Sequence, residues 1–223
     1  DFYNQTVFDA FGTNGVGSSL NVRQAYGGTR SDNSIQYFLP PGIGGLYASA
    51  MVAAAEGGTN LDRGGRVLSG RIGFAAGPFN VAAAAGETRF YGTGLRQKTY
   101  NVGGSYGFGI FKLMGYYDRE NLDTSHEDMW SLSGIISMGQ GEIRIGYDRS
   151  KLNRDVGGDT TLDQIKATYQ YNLSKRTAMY TTISRLDNKD ATSFGVAGGS
   201  SITAAPKAGG SSKGFELGVR HFF

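Results

Sequence analysis

Cysteine is absent from this sequence. A disulfide framework and thiolate metal sites are therefore both excluded, although the absence identifies no compartment. No apolar run approaches the roughly 20 residues that a membrane-spanning helix requires. The nearest, Leu46 to Ala55, is half that long and contains Ser49. A barrel escapes that test, because only alternate residues of its strands meet lipid. Proline is scarce, at 4 residues, and the net charge is only +3. Lys and Arg are scattered along the chain without a dense basic cluster, so nucleic acid is not an expected partner. The 2 histidines, His126 and His221, have no metal-ligand spacing around them, so neither metal nor cofactor is expected. No nucleophile elbow is present, which speaks against a hydrolase. Gly42-Ile-Gly-Gly-Leu-Tyr47 lacks the third glycine of a dinucleotide loop and precedes an expected strand. No secretory leader is visible, and the chain begins at Asp1 without Met, so processing or truncation is expected there.

What the sequence does hold is glycine, 36 residues, with 13 Tyr and 13 Phe. Its last ten residues show how they are used. Phe215, Leu217, Val219, His221 and Phe223 share one side of an extended strand; Gly214, Glu216, Gly218, Arg220 and Phe222 share the other. The same two-faced ribbon recurs upstream. Ile35 and Tyr37 alternate with Gln36. Leu46, Ala48, Ala50 and Val52 oppose Tyr47, Ser49 and Met51. Leu68, Ile72 and Phe74 oppose Ser69 and Arg71, and Phe79, Val81, Ala83 and Ala85 share a face. Tyr100, Val102 and Tyr106 oppose Thr99, Asn101 and Ser105. Phe111, Leu113 and Tyr117 oppose Lys112 and Asp118. Trp130, Leu132, Ile136 and Met138 oppose Ser131, Ser133 and Ser137. Ile143, Ile145 and Tyr147 oppose Arg144 and Asp148, and Ile165, Ala167, Tyr169 and Tyr171 oppose Gln164, Lys166 and Gln170. Thr177 to Asp187 reads as a strand whose facing the pattern leaves open. The total is about eleven strands.

Short Gly-rich turns alternate with longer polar loops, among them a charged loop from Asn121 to Glu127. A transmembrane barrel has that asymmetry between its two ends. The apolar face carries Tyr37, Phe74, Phe79, Tyr106, Phe111, Tyr169, Tyr171 and Phe223 near strand ends, mostly beside the short turns. Aromatic rings there match a membrane girdle. A soluble sandwich would bury them near strand centres. The fold class expected is all-β: an antiparallel transmembrane β-barrel. The opposite face holds too many polar groups to bury dry, each unpaired one costing on the order of a few kcal/mol. A water-filled interior follows as the expectation. Residues 1–29 show no sustained period, although Val7, Phe8 and Phe11 have the spacing of one helical turn.

Three segments carry a resemblance: Arg30-Ser-Asp-Asn-Ser-Ile-Gln-Tyr37 with Pro40, Tyr171-Asn-Leu-Ser-Lys-Arg-Thr177, and the ending Gly218-Val-Arg-His-Phe-Phe223. Together they resemble the trimeric general porins of Gram-negative outer membranes, of the Neisseria/Burkholderia type. The resemblance implies a barrel of about sixteen strands, of which this chain supplies roughly the last eleven. By that reading the early strands are missing and the barrel is open or artificially closed. Residues 1–29 resemble the long third loop that folds inward and narrows the pore, and residues 30–223 the barrel wall. A homotrimer in the bilayer, in contact with lipopolysaccharide, is implied. So are passive diffusion of ions and small hydrophilic solutes, and a terminal Phe223 read by the outer-membrane assembly machinery. Candidate loop acids are Asp1 and Asp9. Candidate wall groups are Arg71, Lys112, Arg144, Lys166 and Arg220, with Gln36 standing where the family often has a basic residue. Weak anion preference is the expectation. Two rival readings predict otherwise: a smaller complete barrel (an autotransporter translocator or a phospholipase) needs its first strand to pair with its last, and a surface β-domain that binds ligands needs its aromatic face packed on a second sheet.

Overall fold

The computed structural model describes residues 7–13, 15–24, 31–54, 65–90, 95–198, 201–202 and 206–223. Eleven strands form one antiparallel sheet in meander order. They are β1 (Ser34–Phe38), β2 (Leu46–Ala53), β3 (Val67–Ala76), β4 (Phe79–Arg89), β5 (Arg96–Phe108), β6 (Phe111–Leu122), β7 (Ser125–Met138), β8 (Gly141–Arg154), β9 (Thr160–Asn172), β10 (Thr177–Asn188) and β13 (Ser211–His221). A separate two-stranded hairpin, β11 (Ala197–Gly198) and β12 (Ser201–Ile202), lies in the connection between β10 and β13. β1 and β13 are the two edges of the large sheet and do not pair with one another. Among the described residues, no helix is long and apolar enough to cross a membrane.

Register fixes the faces, because a one-residue slip would turn every side chain over. Lys112, Ile135, Arg144 and Thr168 are successive cross-strand partners and therefore share one face. Leu113, Gly134 and Ile145 do so on the other. The open facing of β10 is resolved in the same way: Thr182 pairs with both Thr168 and Glu216, so its even-numbered residues lie with the polar face.

The apolar face is bare. Leu68, Ile72, Val102, Leu132, Ile145, Ile165, Ile183 and Leu217 are all exposed. Among the described residues no second sheet packs on them, which speaks against the sandwich reading. In water such a surface would be a large unpaid cost, whereas against lipid tails it is the ordinary outer wall of a barrel. Tyr37, Phe74, Phe79, Tyr106, Phe111, Tyr169 and Tyr171 lie on it toward the short turns, with Phe223 following β13 at the same end. Phe108 joins them, its ring centre 4.6 Å from Tyr106 and 5.9 Å from Phe111.

A second aromatic row lies nearer the other end: Tyr100, Tyr117, Trp130 and Tyr147. The Tyr117 and Trp130 rings are 4.2 Å apart. Hydroxyls in this row reach away from the apolar band, Tyr117 to Asp128 and Tyr147 to Asp163 at 2.8 Å. Beyond them the outward face turns ionic, with Arg119–Asp128 at 3.1 Å, Lys151–Asp159 at 3.2 Å and Arg185–Asp187 at 2.9 Å. Two aromatic rows bracketing an apolar band set the depth at which the sheet sits in a bilayer. Leu132→Arg, within that band, should cost about 2–4 kcal/mol of folding free energy in liposomes. A urea titration that shows no destabilisation would remove this face from the lipid.

The two ends of the sheet differ less strictly than the sequence pattern suggests. Turns at 77–78, 109–110 and 139–140 are two residues long. Gly109 and Gly139 take φ values of 80° and 59°, a region that a Cβ disfavours. At the opposite end, however, the charged stretch from Asn121 to Glu127 is not a loop. β6 and β7 run through it and are joined by Asp123 and Thr124 alone, with Asp123 at φ 45°. Cross-strand pairing explains the difference: Asn121 faces His126 and Glu120 faces Glu127 in register, so the polar residues there decorate strands.

Candidate pore-lining site

Part of the polar face is covered by the N-terminal segment. Residues 7–13 and 15–24 lie across part of it as an irregular strap with one short 3-10 helix, Ser19–Val22, capped by the Ser18 side chain. The helical turn expected at Val7, Phe8 and Phe11 does not form. Those apolar residues serve instead as pegs. A Cβ on Gly103 would lie 2.5 Å from the Phe8 ring, one on Gly146 2.7 Å from the Phe11 ring, and one on Gly214 2.9 Å from Val16. Three glycines on three strands thus form dimples that seat three side chains of the strap. Glycine is the residue that permits so close an approach. Phe8, Val16 and Val22 join Tyr116, Met129, Leu162, Leu186 and Val196 in one buried apolar cluster.

The strap's polar groups are matched to the wall. The Ala10 amide donates to Ser133 Oγ at 3.0 Å, and Arg144 Nη1 donates to the Ala10 carbonyl at 2.6 Å. The Val16 amide donates to Glu216 Oε2 at 3.0 Å, and its carbonyl accepts from Gln164 at 3.0 Å. The Gln24 amide donates to Glu127 at 2.8 Å. Two ion clusters pin the strap as well. Arg23 pairs with Glu120, with Asp118 at 4.0 Å. Lys166 Nζ lies 3.4 Å from Asp9, 2.7 Å from Asp148 and 4.5 Å from the centre of the Phe11 ring.

This arrangement places the expected site residues as follows. Arg71, Lys112, Arg144, Lys166 and Arg220 all project from the polar face, as does Gln36 on the edge strand β1. Lys112, Gln36 and Arg220 are exposed. Arg220 lies over the Phe222 ring at 5.1 Å, and Arg71 over Tyr47 at 5.3 Å. Arg144 also donates to Glu142 at 2.7 Å. Lys166 and Asp9 are not water-lining: both side chains are 0% exposed, locked together where strap and wall meet. Asp1 falls outside the described residues. The expectation that the polar face is too polar to bury is corrected for the same reason. Asp118, Glu120, Glu127, Asp148 and Gln164 are buried, and the strap supplies partners for them directly or through Lys166. Arg23, Gln24 and the peg glycines were not foreseen. Their only sequence signal is an isolated charge in an aperiodic stretch and glycine on an otherwise polar strand face.

An antiparallel sheet that is apolar on one face, polar on the other and strapped across its polar face is the wall of a transmembrane β-barrel. The particular family follows from comparison: the chain belongs to the Gram-negative porins, whose family model matches residues 1–191. Outer membrane porin protein 32 of Delftia acidovorans is 30% identical over 236 residues, spanning 98% of this chain and 66% of that protein. The anion-selective porin from Comamonas acidovorans superposes with a TM-score of 0.77 at 27% identity, covering 86% of this chain and 60% of that one. OmpT of Vibrio cholerae in its trimer form superposes with a TM-score of 0.68 at 15% identity, covering 86% of this chain and 65% of that one. The chain thus spans just under two thirds of these relatives' lengths. As a member of this family it is an outer-membrane β-barrel protein.

Proposed function

We propose that the protein forms a water-filled pore for passive diffusion of ions and small hydrophilic solutes, a channel rather than an enzyme. The observation that carries this reading is the strap: an inward-folded segment held against the polar face of a sheet whose other face is apolar. A strap in that position narrows the lumen and sets a size cutoff. Residues 7–13 and 15–24 are then the described part of a constriction loop that extends over 1–29, with 30–223 as wall. Anion preference is supported by Lys112 and Arg220, exposed cations on the inner face, because basic side chains lining a pore favour anions. It is in keeping with the relative described as anion-selective. A homotrimer in the bilayer is supported by the related porin solved as a trimer. Exposed Phe223, packed edge-on against His221 at 4.8 Å, is available to the assembly machinery.

Planar-bilayer conductance of the full-length protein tests the reading. Current steps in groups of three, with a reversal potential on the anion side, are the expected result. Absence of discrete steps would overturn it. Lys112→Glu should move the reversal potential toward cations, and an unchanged potential would remove Lys112 from the permeation path.

A further inference from the structure

We infer that the strap does more than narrow the pore: it acts as a carboxylate mask, and selectivity for anions is created when it docks. This inference rests on the pore reading above. Its basis is the distribution of charge on the inner face. Asp118, Glu120, Glu127, Asp148 and Glu216 all project from that face. On a bare wall these five would offset the five cations of the same face, Arg71, Lys112, Arg144, Lys166 and Arg220, and leave the lumen without a dominant sign. With the strap seated, none of them is exposed. Arg23 covers Asp118 and Glu120, and the Gln24 amide covers Glu127. Glu216 is engaged on both oxygens, by the Val16 amide at 3.0 Å and the Tyr180 hydroxyl at 2.7 Å. Asp148 is reached through Lys166, which Asp9 of the strap holds in place.

The cations are treated differently. Only one strand-borne ammonium, Lys166, is sequestered with the carboxylates. Lys112 and Arg220 remain exposed on the same face, outside the strap's footprint. Docking therefore engages five negative wall charges and two positive ones, Lys166 and Arg144, whose guanidinium donates to the Ala10 carbonyl. A permeating ion responds to the charges whose field reaches the aqueous path, and buried neutralised pairs contribute little to it. The strap's own charges, Asp9 and Arg23, are spent inside these clusters. The sign of selectivity then belongs to the docked assembly and not to the wall.

The test uses the full-length protein in planar bilayers under a salt gradient. Replacing residues 8–24 by a Gly-Ser linker of equal length should raise conductance and bring the reversal potential close to zero, with the anion preference lost. In the native background, Glu127→Gln and Glu216→Gln should each shift the reversal potential much less than Lys112→Gln, which removes one unmasked charge from the same face. In the linker background the same two changes should each move it back toward anions. Retained anion preference after strap replacement would overturn the mask. So would a shift from either glutamate variant as large as that of Lys112→Gln with the native strap in place, and that arm decides the matter even if the linker variant does not assemble. Loss of discrete channels in the unmodified protein would instead sink the pore reading.

Discussion

Lys166→Met should destabilise the folded protein by about 3–5 kcal/mol, the usual consequence of removing one partner from a buried ion cluster. Lys166 is enclosed together with Asp9 and Asp148, and all three leave water on folding. The attraction between them offsets that desolvation only while the cluster is complete. Without the ammonium, two carboxylates face one another across a dry gap. Fluorescence of Trp130, the single tryptophan, can follow unfolding by urea in detergent micelles. The companion triple variant Asp9→Asn, Lys166→Met, Asp148→Asn should recover most of the loss, since a neutral cluster needs no counter-charge. A single variant within about 0.5 kcal/mol of the parent would show that the cluster is wet or loosely held.

Phe8→Ala should be nearly as severe, and its effect should be local. The ring is fully buried and fills the dimple over Gly103. Truncating a buried Phe typically costs about 3–5 kcal/mol through lost burial and the cavity left behind. Here the cost falls first on docking of the strap and not on strand pairing, whose backbone hydrogen bonds are untouched. Amide exchange across residues 8–24 should quicken by roughly a hundredfold or more, while the centre of β8 and β9 stays protected. Single-channel current should become noisier, with longer excursions to a higher level. Uniformly faster exchange in strap and strands alike would mean that the strap does not open independently.

The wall was legible in the sequence because its signal has a period of two. Every strand from β1 to β9, and β13, shows its apolar residues on the face that the alternation assigns, since lipid on one side and polar surroundings on the other leave no third choice. β10 was ambiguous for a chemical reason. Thr181 and Thr182 are adjacent and alike, and the outward face also carries Thr177, so polarity does not discriminate there. The hairpin at Asp123–Thr124 was misread as a loop because residues beyond the aromatic row are polar on both faces, which erases the alternation. The strap was the least legible element. It has no period, and its contacts span separations above one hundred residues, such as Ala10 to Ser133 and Val16 to Gln164. Lys166 belongs to β9 and Asp9 to the strap, but that they meet and exclude water is a property of packing that no local pattern encodes.

Much of the strap's seating uses its peptide groups: the amides of Ala10, Val16 and Gln24 and the carbonyls of Ala10 and Val16. Every amino acid except proline offers the same amide, so mutation can rewrite many strap side chains without erasing their anchorage. The burden of inheritance then falls on the receiving surface, where Ser133, Arg144, Gln164 and Glu216 must persist. Kindred chains can accordingly diverge fastest in the strap while the architecture around it stays put.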